Sequence, residues 1–513
     1  MTLSKSFIGG LFLLSLGLLS GCSEKFLDEA PSDKITDTNY YQTQTDALQA
    51  VTAAYSELAK AGQYNAALWA IDIMSDVSGT GADDGNDGGE YKQLETFSPP
   101  TTNRVARLLW GGCFVGIQRA NLILQKVPGI TSMDPAIQRR CLGEAQFLRA
   151  KYYFDLVRVY GDVPLFTTPP TTAPEVNIPR TPAAQVYDRI EKDLILAIGN
   201  LPASYSGDDL GRATKWAATG LLAKVYITEG KKTEAAQRAR EVIDNSGKSL
   251  WANYGDNFKI ENENGKESLF EVQFINGKNF ANYGYTQDGP GFCGNEFFGP
   301  RGANQTPGSG YGFNIPEPDF VSGYEAGDTR RAATVWKPGD IYPSGDTAKS
   351  KPVAGSPFAF NCRKWFVGKV NTAIWDSGLN IPVLRLGEMY LILAEAVGNS
   401  PEGLEAINKV RRRAFGLPIA TPSARDLPAT TADFTGAVLR ERKYELAFEF
   451  DRWFDLKRYN GTQYGLIPVM TAQANYLRTL GIQRGIPTVR NLVLPIPQSE
   501  LNANPGLVQN SGY

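Results

Sequence analysis

Histidine is absent from this chain of 513 residues. Without an imidazole there can be no Ser-His-Asp triad, no Cys-His pair, no imidazole base and no histidine-containing zinc site. Any chemistry must rest on carboxylates, Lys, Tyr or Cys. Cysteine is scarce as well, with five in all, and Cys113, Cys141, Cys293 and Cys362 follow Cys22 at spacings that match no zinc or CxxC pattern. Four cysteines allow three disulfide connectivities, among which spacing cannot choose; free, buried thiols are the expectation. An excess of one charge is also missing. The 52 Lys and Arg against 54 Asp and Glu leave a net charge of −2, with no basic block, so nucleic acid is excluded as an expected partner. What remains is an ordinary globular composition, 42% hydrophobic and 21% charged, with 8 Trp, 23 Tyr and 25 Phe, many of the Tyr and Trp in glycine-rich stretches.

Long hydrophobic runs are lacking too. The longest, residues 7–19, is too short to span a bilayer and suits the apolar part of an export signal, with Lys5 ahead of it. It ends in Leu19-Ser20-Gly21-Cys22, which resembles a bacterial lipobox. The expectation is a signal peptide over 1–21, a lipidated Cys22, and a polar tether over 22–37 that holds the protein to a membrane through lipid.

Helical spacing of apolar residues predicts helices over 45–60, 105–126, 138–160, 183–201, 213–229, 233–244, 385–397, 401–414 and 434–458. Residues 267–274 alternate as a half-buried strand, and Leu494-Pro495-Ile496-Pro497 forbids a helix there. From 276 to about 378 the chain is dense in Gly, Pro, Asn and aromatics with no helical period, and long irregular segments of this kind are often functional. Trp216, Gly220, Ala223 and Tyr226, followed by Ala236 and Ala239, suggest tetratricopeptide-like helix pairs.

Familiar site motifs fail on context. Residues 289–294 fit GxGxxG as text, but Pro300 and the neighbouring glycines deny the helix it must open. Residues 245–249 end like a phosphate loop, yet Val242 stands where its first glycine belongs. Residues 83–88 look like a calcium loop with Gly85 at a ligand position and Leu94 in place of the bidentate Glu. A solvated acidic turn is the expectation there, with an irregular calcium site from Asp76, Asp83, Asp84, Asp87 and Glu90 as the alternative; no cofactor is expected. The acids of 441–455 interleave with basic residues, and Arg442–Glu445, Glu449–Arg452 and Asp455–Arg458, three apart, are expected to satisfy one another as structure.

Four ordered stretches carry a resemblance: Gly143-EAQFLRAKYYFDLVRVYGDVPLF-Thr167, Arg212-ATKWAATGLLAKVYI-Thr228, the run from Arg385 to Val397 with Ala406-INKVRRRAF-Gly416, and Leu439-RERKYELAFEFDRWFDLKR-Tyr459. With the tail from Leu494 to Tyr513 and Phe26-Leu27-Asp28 behind Cys22, the chain resembles the SusD/RagB family of outer-membrane nutrient-binding lipoproteins. The weakly matching parts are about 61–104 and 276–380. The resemblance implies a mainly α fold of tetratricopeptide-like helix pairs with a loop-rich insertion and a few short strands. It implies one domain over 38–513, with its helical scaffold in 38–275 and 380–513 and its ligand region at about 276–379. It further implies a cell-surface, non-enzymatic binder of glycan or another oligomeric nutrient, which delivers it to a SusC-like TonB-dependent β-barrel transporter. The rivals are a carbohydrate-active enzyme using a carboxylate pair and a helical scaffold that binds only protein.

The shared motif residues Phe147, Leu148, Tyr153, Trp453 and Phe454 are apolar at helical spacing and belong to the core. A sugar site needs aromatic planes for its apolar C–H faces and directional polar groups for its hydroxyls. That leaves the loops: Asp76, Asp83, Asp84, Asn86 and Tyr91 in one, and Tyr283, Tyr285, Phe292, Asn295 and Trp336 in the other. Residue by residue, burial of each ring under its own loop competes with ligand contact; at least two of the set are expected to line a shallow cleft.

Overall fold

The computed structural model describes residues 40–81, 88–277, 290–300, 310–340, 359–368 and 374–513. The expected signal peptide, Cys22 and the tether lie outside them, as do Asp83, Asp84, Asn86, Asp87, Tyr283 and Tyr285.

The scaffold is helical: α1 (Gln44–Ser56), α2 (Arg104–Lys126), α3 (Pro135–Tyr160), α4 (Ala183–Asn200), α5 (Lys215–Glu229), α6 (Lys232–Asn245), α7 (Leu386–Val397), α8 (Pro401–Ala414), α9 (Phe434–Glu445), α10 (Arg452–Arg458) and α11 (Leu466–Thr479). Local chemistry sets the boundaries. Thr43 and Asp46 form a reciprocal capping box at α1. Asp134 accepts from the Ala136 and Ile137 amides at 2.7 and 3.2 Å ahead of Pro135, and Gly161 (φ 74°) ends α3. Each helix from α2 to α8 packs on the next in sequence, which is the expected pairing. Where α2 crosses α3, a Cβ on Gly116 would come within 2.3 Å of the Tyr152 ring, so only glycine permits that approach.

Between α6 and α7, which touch directly, the chain leaves the scaffold and returns. The neck of this excursion is an antiparallel pair, β2 (Ser268–Val272) with β6 (Ile381–Arg385), in which Val272 faces Ile381. Two shorter antiparallel pairs lie nearer the loops: β1 (Ser78–Gly79) with β3 (Ile315–Pro316), and β4 (Val335–Trp336) with β5 (Asn361–Cys362). The loop-rich region is thus held at the points where it leaves and rejoins the helices.

Phe147, Leu148, Tyr153, Trp453 and Phe454 are all buried, as their spacing requires. Cys113, Cys141, Cys293 and Cys362 are buried free thiols. The helix expected over 434–458 is interrupted: after Glu445 the chain turns, with Phe448 at φ 61° and Phe450 at φ 69°, and resumes as α10. Two of the three expected local ion pairs do not form. Asp455–Arg458 forms at 3.0 Å, whereas Glu445 meets Arg385, Arg413 and Arg330, Glu449 meets Lys364 and Arg385, and Arg452 meets Asp76. Once buried, these charges take partners from distant elements because no water is there to serve instead. Helix α11 was missed in the sequence.

Candidate ligand-binding site

The described loops converge beyond the neck. Phe292 donates to Ser377 O at 2.7 Å and accepts from its amide at 3.3 Å, tying 290–300 to 374–380. Asn65 donates to Gly291 O (3.0 Å) and accepts from the Cys293 amide (2.9 Å), fastening the same segment to the scaffold. A short helical turn, Gly294–Phe297, follows, and Tyr311 donates its amide to Glu296 O at 2.8 Å.

From this frame a train of aromatic rings runs outward. Trp69, fully buried, packs on Tyr91 (4.9 Å between centroids), Phe297 (5.6 Å) and Phe298 (5.2 Å). Phe297 stacks on Phe313 at 5.5 Å and meets Tyr311 at 5.5 Å, and Tyr311 meets Trp375 at 6.4 Å with planes inclined by 34°. Tyr311 and Trp375 are partly exposed, as are Phe360 and Phe366 nearby in sequence to the same loops. Beneath the pair lies Glu296, buried, its Oε1 accepting from Asn295 at 3.2 Å. Burial pushes this carboxyl up to about 7, with Asp376 adding to the rise, although its own backbone amide, the Asn295 side chain and the Trp375 backbone amide hold it down.

The five sequence-expected site residues that the structure describes are buried. Asp76 (4% exposed) is clamped by Arg452 at 2.7 Å and Lys443 at 2.9 Å, which hold its carboxyl well below the usual range and leave it no role as a calcium ligand. Tyr91 (2%) packs between Trp69 and Phe313, and Phe292 (0%) between Phe274, Phe298 and Trp365. Asn295 (0%) spends its amide on Gly368 O and accepts from the Val367 amide, which makes it a brace for the loop. Trp336 (1%) lies under the Arg363 guanidinium, 4.0 Å from its centroid, and against Phe366. Each of these rings is therefore buried, covered by segments from elsewhere in the chain rather than lining a cleft. Phe292, through Ser377, and Asn295, through Val367 and Gly368, brace loop segments of the same region. Sequence reasoning missed Tyr311, Trp375, Phe360, Phe366 and Glu296. One signal was there: Tyr311 stands between Gly310 and Gly312, whose lack of side chains leaves the ring little cover.

Comparison with known proteins now decides the family. A family model described as "SusD family" matches residues 239–513, and one described as "Starch-binding associating with outer membrane" matches 25–227. The chain belongs to the SusD family. It is 32% identical to a SusD-like protein of Bacteroides ovatus, over 86% of this chain and 80% of that one. It is 28% identical to SusD-like protein P25 of Formosa agariphila, over 96% of each. Among solved SusD-like structures, a laminarin-binding protein superposes with a TM-score of 0.78 at 30% identity, covering 92% of this chain and all of that one. Surface glycan-binding protein A of Bacteroides thetaiotaomicron in complex with laminarihexaose superposes at 0.75 and 23% identity, covering 91% and 99%, a likeness of fold. The mainly α fold with its helix pairs is that of the SusD family, and the family's description associates it with the outer membrane. No helix among the described residues is long and apolar enough to cross a membrane.

Proposed function

We propose that this SusD-family chain binds oligosaccharide at the cell surface and passes it to a SusC-like TonB-dependent β-barrel in the outer membrane, with lipid on Cys22 holding it there. The observation that carries the reading is the Tyr311–Trp375 pair. Two partly exposed rings, backed by a packed aromatic train, form an inclined platform on the loop face of a chain that shares 30% identity with a laminarin-binding SusD-like protein. Stacking on the C–H faces of consecutive sugar rings is what such a surface does, and rigid backing keeps the ordering cost of binding low. Tyr283, Tyr285, Asp83, Asp84 and Asn86 belong to the adjoining loops in sequence and remain candidates to complete the site.

The reading as binder rather than enzyme draws support from burial. Glu296 and Asp376, the acids beneath the platform, are 0% and 1% exposed, so neither reaches a glycosidic oxygen to protonate it. The test is twofold. Titration calorimetry against a panel of hexasaccharides, laminarihexaose included, should give saturable binding without product release. Affinity purification from detergent-extracted outer membranes should recover a large β-barrel protein; recovery of the chain alone, with the barrel expressed, would count against the transporter.

A further inference from the structure

The C-terminal helices carry a second opening that shares no lining residue with the loop face. It is a cleft of about 630 Å³ between α9, the start of α11 and the segments around Gly323 and Asp433. Tyr464 forms one wall. Its ring is partly exposed, set edge-on against Tyr459 (6.1 Å, 85°), and its hydroxyl donates to the Asp433 carboxylate, so the plane is held in place. Tyr444, stacked on Phe320 at 5.5 Å, lies at the floor.

The charges are unevenly paired. Four cations (Arg411, Arg440, Lys443 and Arg452) and two carboxylates (Glu325 and Asp433) line the cleft, and the carboxylates of Asp76 and Glu441 behind it pair with Lys443, Arg452 and Arg411. Arg411 meets Glu325 and Glu441, while Lys443 and Arg452 share Asp76. Arg440 has no carboxylate partner among the described residues; it is exposed and donates once, to Gly323 O at 3.1 Å. Arg440 and Lys443 lie three apart on one face of α9. An exposed guanidinium fork with no ion pair of its own, beside a fixed aromatic plane, fits a carboxylate carried on a sugar ring.

We propose that this cleft binds an acidic sugar unit, its ring against Tyr464 and its carboxylate on Arg440 with Lys443 behind. The site is separate from the loop face and does not depend on it. The test is titration of the full chain with hexagalacturonate, alongside neutral hexasaccharides, for the wild type and for Arg440→Gln, Tyr464→Ala, Tyr464→Phe and Trp375→Ala, with melting curves to verify folding. Hexagalacturonate should bind, weaken with added salt, and lose about tenfold in affinity with Arg440→Gln and with Tyr464→Ala. Tyr464→Phe, which keeps the ring but loses the bond to Asp433, should lose less than Tyr464→Ala, and Trp375→Ala should leave the affinity nearly unchanged. No binding by the wild type, or binding that Arg440→Gln leaves intact, overturns the proposal. Loss with Trp375→Ala instead assigns the acidic sugar to the loop face and overturns it as well, without touching the neutral-glycan result.

Discussion

Arg385 and Glu445, sixty positions apart, form a fully buried ion pair where β6 hands over to α7 beneath the end of α9. Arg385 also donates to Glu267 at 3.1 Å, to both oxygens of Glu449 at 2.8 and 2.9 Å, and to the Glu445 carbonyl at 2.7 Å. Glu445 in turn accepts from Arg413 and from Arg330. Burial alone would raise the Glu445 carboxyl; the three guanidiniums hold it well below the usual range. The neck of the loop-rich region is therefore locked to the C-terminal helices by charge. Glu445→Ala, which removes the carboxylate that three buried guanidiniums share and leaves one positive charge uncompensated, should cost about 3–5 kcal/mol. Urea unfolding measures this, and a loss below about 1 kcal/mol would mean the network does not hold the neck.

Glu296 gives the structure a pH signature. Its carboxyl is raised from 4.5 to about 7, so the folded state binds a proton that the unfolded state has released between those values. Its contribution therefore favours folding less as pH rises from 4.5 to 7, and the penalty is constant above that. Glu296→Gln should stabilise the protein at pH 8 by on the order of 1–3 kcal/mol, and the gain should vanish as the pH falls below 4.5. Equal gains at pH 8 and below 4.5 would refute the assignment.

Gly116 tests the helix pairing. An alanine there would bring its Cβ within 2.3 Å of the buried Tyr152 ring, whose hydroxyl is bonded to Ala54 O at 2.8 Å and cannot easily give way. Gly116→Ala should cost about 1–3 kcal/mol by overpacking, visible as a lowered melting temperature. An unchanged melt would show that α2 and α3 are not so closely apposed.

The helical part of the fold was legible because its signals are local. Thr43, Asn103 and Asp134 cap helices at the positions where the apolar period begins, and Gly161 ends α3 as a stop signal should. The break after Glu445 was not legible: 434–458 keeps helical spacing throughout, and long-range partners for Glu445 and Arg452 override it. The site failed for a related reason. Tyr91, Phe292 and Trp336 have the composition of a sugar platform, but a ring's exposure is set by which distant segment covers it, and Phe274, Phe313 and Trp365 come from elsewhere in the chain. Asp76 reads as a loop acid until Lys443 and Arg452 arrive from helices more than three hundred residues away.

Cys22 is the expected anchor. Firm attachment needs more than one acyl chain, since each buried methylene contributes only about 0.8 kcal/mol. Cys22→Ala should move the protein from the membrane fraction to the soluble one; retention in the membrane would sink the lipid assignment.

The most direct test of the central claim is calorimetric titration of a hexasaccharide found to bind, compared across Tyr311→Ala, Trp375→Ala, Tyr91→Ala and Trp336→Ala, each checked for folding. Binding at the platform predicts a loss on the order of 1–3 kcal/mol for Tyr311→Ala and Trp375→Ala, as for a central contact. The buried rings Tyr91 and Trp336 should lower stability while folded protein keeps most of its affinity. Affinity unchanged by both Tyr311→Ala and Trp375→Ala would contradict the account and move the glycan elsewhere on the molecule.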